Sequence, residues 1–388
     1  MKRRALFGGA AAVGAAAVGG AVLGSAAAPA DAPRPHGTDT VPFHGRHQAG
    51  IATDAQAHQS LLAFDLVRGV DAEAVGRLLT LLTDDAERLT AGRAPLADIE
   101  PEMAAVPARL TVTFGFGPRL VRIVAGPTAV PAWLRPLPPY PTIDRLEERW
   151  NGGDLLVQVA AEDPTTVAHA VRMMVRDARA FATLRWRQDG FRHAAGTHRP
   201  GTTMRNLFGQ IDGSANAVPG TEEFDRVVWR DGPEEWLVGG TTMVVRRIAM
   251  DLDTWDEVGR TAREFSVGRR LSDGAPLTGG TETDDVDLDA VDERGFTVIG
   301  PAAHVRRART DDPTQRIFRR AYNYDGVDGT GLVFTAFQAD LEHQYLPMQA
   351  RLAELDALNA WTTPIGSAVF AIPGGIAPGE HVGQALFG

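Results

Sequence analysis

The strongest constraint on the fold is the order of the apolar and amphipathic segments between residues 60 and 191. Short runs with strand-like patterns and longer segments with apolar residues at helical spacing follow one another as strand, helix, strand, strand, helix, strand. The predicted strands are residues 60–67, 109–117, 153–162 and 183–191, and the predicted helices are residues 71–89 and 163–181. Asp163 and Pro164 favour a helix start, since Asp suits the N-cap position and proline the first helical position. This order is that of a ferredoxin-like unit.

A second set of elements follows in the C-terminal half. It consists of predicted strands at residues 241–252, 329–338 and 367–375 and predicted helices at residues 253–265 and 339–358. Residues 266–328 interrupt this set as an insertion rich in Gly, Asp, Arg and Thr, and so long an insertion in a compact domain usually has a function. The sequence therefore predicts an α+β protein with two tandem ferredoxin-like units, each an antiparallel sheet with helices packed on it. We place these units at residues 51–200 and 201–388.

The N-terminal 30 residues resemble an export signal rather than part of a domain. Arg3 and Arg4 precede a mild Ala/Gly/Val run, and the small residues Ala28-Pro29-Ala30 suit a cleavage site. A transmembrane anchor is the alternative, but a run so rich in Gly and Ala inserts poorly into lipid. Paired arginines favour the twin-arginine route, which predicts an extracellular or cell-envelope protein with no stable membrane span once matured. Residues 31–50 are then a linker and a lead-in segment to the fold.

Charge and cysteine content exclude several classes of site. The formal net charge of −10 argues against a nucleic-acid partner, which would require a basic face. The chain contains no cysteine, which excludes disulfides, thiolate zinc sites, iron–sulfur clusters and a cysteine nucleophile. Any metal or cofactor iron must therefore be bound by His, Asp, Glu or Tyr.

Two segments of the C-terminal half have the residue types of a reactive site. In GQIDGSANAVPG, residues 209–220, Asp212 is followed directly by Gly213, and such glycines let the backbone turn sharply and approach another group closely. Asp212 can be a turn residue, a metal ligand or a proton carrier beside a cofactor. In the insertion, residues 300–326 contain His304 and six arginines, which is either a solvated, salt-bridged loop or an anion site. Haem b would use both the histidine and the arginines, because its iron accepts a His ligand and its two carboxylates can pair with Arg.

Five segments, taken together and in order, resemble the dye-decolourising peroxidase family, in particular its members with a twin-arginine signal. They are FHGRHQAGI (43–51), RNLFGQIDGSAN (205–216) with its GxxDG motif, the HVR that begins at His304, RIFRRAYNY (316–324) and GLVFTAFQADLEHQYLPMQARL (331–352). The resemblance implies two ferredoxin-like units, with one haem b per chain bound in the C-terminal unit.

The resemblance also implies a role for each site residue. His304 would be the axial ligand of the haem iron, and Asp212 would lie on the distal face as the acid–base group for hydrogen peroxide. Arg319 would be the distal arginine that stabilises developing negative charge, with Arg320 as the alternative. Four further residues would have supporting roles. Arg306 would pair with a haem propionate, and Gly213 would let the backbone approach the cofactor closely. Asn216 would stabilise the turn, and Asp340 would accept a hydrogen bond from the ligand histidine.

The function that follows is that of a secreted haem peroxidase. It would reduce hydrogen peroxide and oxidise dyes, phenols or other aromatic donors in one-electron steps. A haem-binding component of an iron-uptake system is the alternative that the family allows, and a secreted binding domain without a cofactor is a third. The sequence leaves the oligomeric state open.

Overall fold

The computed structural model describes residues 36–388, so the predicted signal segment, residues 1–30, lies outside the described residues. The first sheet contains strands β1 (His58–Leu66), β2 (Thr111–Phe116), β3 (Leu155–Ala161) and β4 (Ala182–Phe191). They pair antiparallel in the order β2-β3-β1-β4. The helices of this half are α1 (Ala72–Thr90), α2 (Pro118–Ala125) and α3 (Pro164–Ala178). The predicted ferredoxin-like order is confirmed, and α2 is a short addition that the sequence did not reveal.

Helix capping and apolar spacing explain why α1 and α3 form where they do. The Asp71 carboxylate accepts a hydrogen bond from the Ala74 amide at 2.9 Å, and the Asp163 carboxylate accepts one from the Thr166 amide at 2.8 Å. Each bond satisfies one of the amides that a helix start leaves without a partner. Five α1 side chains at helical spacing are fully buried in the main core cluster, namely Val75, Leu78, Leu79, Leu82 and Ala86.

The second half repeats the arrangement with a larger set of strands. These are β5 (Thr241–Met250), β6 (Phe318–Arg319), β7 (Tyr322–Gly326), β8 (Gly329–Gln338) and β9 (Thr362–Ile372). Strand β5 pairs with β9 on one side and β8 on the other, and both β6 and β7 pair with β8. The insertion at residues 266–328 is thus not only a loop, because it also contributes β6 and β7 to one side of the second sheet.

The helices of the second half are shorter than the sequence suggested. They are α4 (Glu222–Val228), α5 (Leu252–Asp256), α6 (Arg260–Val267), α7 (His304–Ala308) and α8 (Leu346–Leu355). The predicted helix 253–265 is two helices, because the chain leaves helical geometry before Gly259, the N-cap residue of α6. The predicted helix 339–358 begins with a π-helical turn, Leu341–Tyr345, before α8. No helix within residues 36–388 is both long and apolar enough to cross a membrane.

The two sheets join edge to edge and close into a ring. Single residue pairs connect β2 to β9 (Phe116 with Ala371) and β4 to β7 (Phe191 with Asn323). Because β5 pairs with β8, the strand order returns to its start. A second core cluster fills the space between the inner faces and includes Leu61, Ala63, Met243, Val245, Tyr322, Val333, Phe337 and Phe370.

Candidate functional site: a cavity with His304 and Asp212

A deep cavity with both apolar and charged walls lies in the second half of the chain. Its volume is about 320 Å³. Much of its wall is apolar, from side chains of β5, β8, α6, α8 and the segment after α8: Ile248, Met250, Val267, Leu332, Phe334, Met348, Leu352 and Leu358. Such a wall suits a large, flat, apolar ligand. The polar groups that reach the cavity come mainly from loop 206–215 and from residues 304–319.

His304, the first residue of α7, faces this cavity and is oriented by a carboxylate from behind. Its Nδ1 lies 2.6 Å from Oδ2 of Asp356, at the end of α8. The second oxygen of Asp356 accepts a hydrogen bond from the Leu358 amide at 3.0 Å, which fixes the carboxylate. Nε2 of His304 has no hydrogen-bond partner within residues 36–388, and the side chain is 30% exposed because it faces the cavity.

This pairing sets the tautomer of the imidazole. Because the Asp356 carboxylate can only accept, Nδ1 carries the proton and Nε2 presents a lone pair to the cavity. Burial lowers the pKa of His304, but the negative charge and hydrogen bond of Asp356 outweigh it and raise the pKa overall. A carboxylate behind a histidine in this way is the usual support of a metal-binding imidazole. The structure thus corrects the prediction for Asp340, whose Oδ1 instead accepts from the amides of Glu342 and His343 at the start of the π-helical turn.

Asp212 and Arg319 come together in the wall of the same cavity. Nη1 of Arg319 donates to Oδ1 of Asp212 at 3.3 Å, and Asn206 Nδ2 lies 3.5 Å from the other oxygen. Both charged groups are close enough to His304 to affect its pKa. Asn216 does more than stabilise the turn, since its amide donates to the Arg319 carbonyl at 2.7 Å and accepts from the Arg319 amide at 3.1 Å.

Gly213 also lines the cavity, and its backbone explains why glycine follows Asp212. Its φ is +131°, a conformation that L residues rarely adopt. A Cβ at this position would in addition lie 3.3 Å from Cγ2 of Thr203. Glycine is therefore required here by the backbone itself, and close approach of Gly213 to the cofactor stays a prediction.

The arginines of the insertion divide into those that reach the cavity and those that do not. Arg320 lies next to Arg319 but is buried on the other side, where it donates to the Ile51 carbonyl at 2.6 Å and to the Thr53 carbonyl. The choice between the two distal candidates therefore falls on Arg319. The prediction for Arg306 is wrong, because its guanidinium donates to the carbonyls of Ile299 and Leu288 and does not line the cavity.

Five arginines do line the cavity: Arg246, Arg269, Arg309, Arg316 and Arg319. Arg309 is paired with Asp285 at 3.0 Å, and Arg269 donates to the Gly274 and Glu282 carbonyls. Arg246 is 1% exposed and pairs with Asp144, while its Nε and Nη1 have no partner within the described chain. An apolar slot, one imidazole Nε2 without a partner and several cationic side chains fit haem b, with His304 for the iron and arginines for the propionates.

Comparison with known proteins decides the family. Models of the Dyp-type peroxidase N-terminal and C-terminal domains match residues 48–192 and 203–377. The chain belongs to the DyP-type peroxidase family. It is 38% identical over 359 residues to a dye-decolorizing peroxidase from Thermobifida fusca, covering 87% of this chain and 83% of the relative. It is 34% identical over 368 residues to a deferrochelatase from Yersinia pestis, covering 88% and 83%.

A solved structure agrees with this assignment. The DyP-type peroxidase from Cellulomonas bogoriensis matches with a TM-score of 0.88 at 50% identity, covering 91% of this chain and 99% of that chain. As a DyP-type protein, the chain is a haem-dependent peroxidase, an oxidoreductase whose cofactor is haem.

Proposed function

We propose that the chain is an exported peroxidase that reduces hydrogen peroxide and oxidises dyes, phenols or other aromatic donors in one-electron steps. The observation that carries this proposal is the arrangement of one cavity. The His304–Asp356 pair supplies an imidazole nitrogen for iron, and the Asp212–Arg319 pair supplies a carboxylate and a fixed positive charge.

His304 would bind the cofactor through Nε2, while Asp356 holds the ring in place and strengthens its donor character. Arg269 and Arg309 are the candidates for holding the propionates. Bound haem would supply the redox chemistry of peroxide cleavage, giving up two electrons in all, which two donor molecules then return. The apolar part of the wall lowers the polarity around these groups, which strengthens the electrostatic interactions between them.

Asp212 would accept a proton from one oxygen of peroxide and return it to the leaving oxygen, which departs as water. The guanidinium of Arg319 would stabilise negative charge on that oxygen before the proton arrives. In a complete cycle, hydrogen peroxide, two protons and two electrons from two donor molecules yield two waters. The hydrogen bond of 3.3 Å between Arg319 and Asp212 would hold both side chains in position for these two roles.

The test is stopped-flow mixing of ferric enzyme with peroxide, together with steady-state oxidation of an anthraquinone dye. Asp212→Asn should keep the fold and haem but react with peroxide about 10²–10⁴-fold more slowly, because an amide cannot carry the proton. Arg319→Leu tests charge stabilisation separately. If Asp212→Asn matches wild type across pH while Arg319→Leu is inactive, Asp212 is not the proton carrier.

A second candidate function is haem handling in iron uptake. It is favoured by the 34% identity to a protein named deferrochelatase. Incubation of the protein with haem and a reductant, without peroxide, separates the two. Release of iron with accumulation of free porphyrin supports the second candidate, whereas intact haem and rapid dye turnover with peroxide support the first.

The export part of the proposal rests on Arg3 and Arg4 before a weakly apolar run. Replacing both arginines with Lys should leave the protein in the cytoplasm if the twin-arginine machinery exports it. Undiminished export would indicate the general secretory route. Mass spectrometry of the exported chain should find residues 1 to about 30 removed.

A further inference from the structure

A group of cationic and polar side chains, three of them buried and Arg192 half-buried, lies within the ring of strands, separate from the haem cavity. We call it the inner arginine cluster and define it as Arg192, Arg320, Tyr322 and Gln59. Tyr322 is 0% exposed, Gln59 2% and Arg320 4%. None of the four lines the haem cavity.

The strand register brings these residues together. Gln59 on β1 lies opposite Gly190 on β4, and a Cβ at Gly190 would be 2.6 Å from the Tyr322 Cβ. The glycine therefore lets Tyr322 pack directly against this part of β4. Arg192 follows the end of β4, and its guanidinium carbon lies 5.6 Å from the centre of the Tyr322 ring.

Several polar atoms of the cluster lack the hydrogen-bond partners they need within residues 36–388. Nε of Arg320 and both Nε2 and Oε1 of Gln59 have no partner. The Tyr322 hydroxyl is within hydrogen-bond reach of Arg320, which can only donate, so its own proton has no acceptor. The remaining contacts do not supply an anion either, because Arg320 Nη2 donates to backbone carbonyls and Arg192 Nε contacts the Met204 sulfur at 3.1 Å. Buried donors without acceptors are destabilising. The one free oxygen of Gln59 cannot accept from Arg320, Tyr322 and its own amide nitrogen together, so the cluster requires a further acceptor.

The charge balance specifies what kind of acceptor is needed. Neither Arg192 nor Arg320 forms a salt bridge with any carboxylate of the described chain. Burial lowers the pKa of both guanidinium groups, and the charge of Arg192 lowers that of Arg320 further. Asp212 and Asp54 act on Arg192 and Arg320 only at a distance. Arginine remains protonated in proteins, so two positive charges are left without a contacting negative one.

We propose that the inner arginine cluster binds a small monovalent inorganic anion of the chloride type. An N–H of Arg320, the Tyr322 hydroxyl and the Gln59 amide are its ligands, and Arg192 supplies further positive charge. Water would satisfy the donors but would leave both charges uncompensated. A larger or organic anion does not suit a site whose ligands are this deeply buried. The site does not depend on haem or on the proposed peroxidase reaction.

The direct test is crystallography of the haem-loaded protein in bromide, which identifies the ion by anomalous scattering. The proposal expects an anomalous peak in contact with Arg320 and Tyr322. It also expects the Tm of the haem-loaded protein to be a few degrees higher in chloride or bromide than in gluconate of equal ionic strength. An unchanged Soret band during the titration would separate this effect from halide at the iron.

Variants make the assignment specific. Tyr322→Phe removes one donor with little change in shape and should reduce the halide-dependent Tm shift several-fold, and Arg192→Gln should do the same. Arg77→Gln, on the exposed side of α1, is the matched control and should keep the full shift. Absence of the bromide peak, or a peak with equal Tm in halide and gluconate (an adventitious ion only), would overturn the proposal. So would an undiminished Tm shift in Tyr322→Phe.

Discussion

Asp356→Asn is the substitution that tests the support of the haem ligand most sharply. The asparagine keeps one oxygen to accept from the Leu358 amide, a bond of 3.0 Å in the wild type. It replaces the oxygen 2.6 Å from His304 Nδ1 with an amide that donates. The imidazole must then move its proton to Nε2, the atom that binds iron, or lose the contact.

The magnitude follows from the bond that is lost. A hydrogen bond to a charged group contributes about 1.5–3 kcal/mol, and each 1.4 kcal/mol corresponds to a factor of about ten in affinity. Haem affinity should therefore fall about tenfold to a hundredfold, the range typical of groups that orient metal ligands. The reduction potential of the iron should also rise, because a less basic imidazole stabilises ferric iron less well.

Transfer of haem to an apo-globin acceptor, followed at the Soret band, measures the affinity, and a spectroelectrochemical titration measures the potential. Asp340→Asn is the matched control, since asparagine is also a good N-cap and this side chain contacts the start of the π-helical turn rather than His304. Equal haem transfer rates and potentials in Asp356→Asn and wild type would refute the role given to Asp356.

Two further substitutions follow from contacts away from the iron ligand. Asn216→Ala removes two hydrogen bonds to the backbone of Arg319. We expect the free energy of unfolding, measured by chemical denaturation, to fall by about 1–3 kcal/mol, and the reaction with peroxide to be slower at unchanged haem content. An unchanged reaction rate would mean that Asn216 only stabilises the turn. Burial and a hydrogen bond with Asp177 raise the pKa of Asp85 from 3.8 to about 8. The unfolded chain thus loses the Asp85 proton at a lower pH than the folded chain does. The stability of the wild-type protein therefore falls as pH rises from about 4 to about 8. Burial opposes the lowering of the Asp177 pKa, but hydrogen bonds with Asp85 and Arg176 prevail, so Asp177 titrates below this window. In differential scanning calorimetry, the Tm of Asp85→Asn minus that of wild type should therefore increase as pH rises across that range. A Tm difference that does not change with pH would contradict the raised pKa of Asp85.

The regular parts of the fold could be predicted because local rules and the global arrangement agree there. Capping by Asp71 and Asp163 and the apolar face of α1 both appear directly in the sequence. Strand β6 could not be found because Phe318–Arg319 is too short for any periodic pattern and lies in an arginine-rich segment. Strand β7, Tyr322–Gly326, has only five residues and ends in the turn-like Asp325-Gly326. Their place is determined by pairing with β8, which is a tertiary interaction.

The site was predictable where a motif is local and less so where partners are distant in the chain. His304, Asp212 and Arg319 were each predicted, but adjacent strand residues face opposite sides, and only the structure shows that Arg319 faces the cavity. Asp356 was missed because 52 residues separate it from His304. One signal was present, since a carboxylate at a helix C-terminus is unfavourable with the helix dipole and so indicates another partner.

The role of His304 is tested most directly by the haem content and ferric optical spectrum of His304→Ala beside wild type, each reconstituted with haem b under the same conditions. We expect one haem per chain in wild type, and in His304→Ala either loss of most of the haem or a changed ferric spectrum. A variant that retains one haem per chain with the wild-type ferric spectrum would contradict the assignment of His304 as the iron ligand.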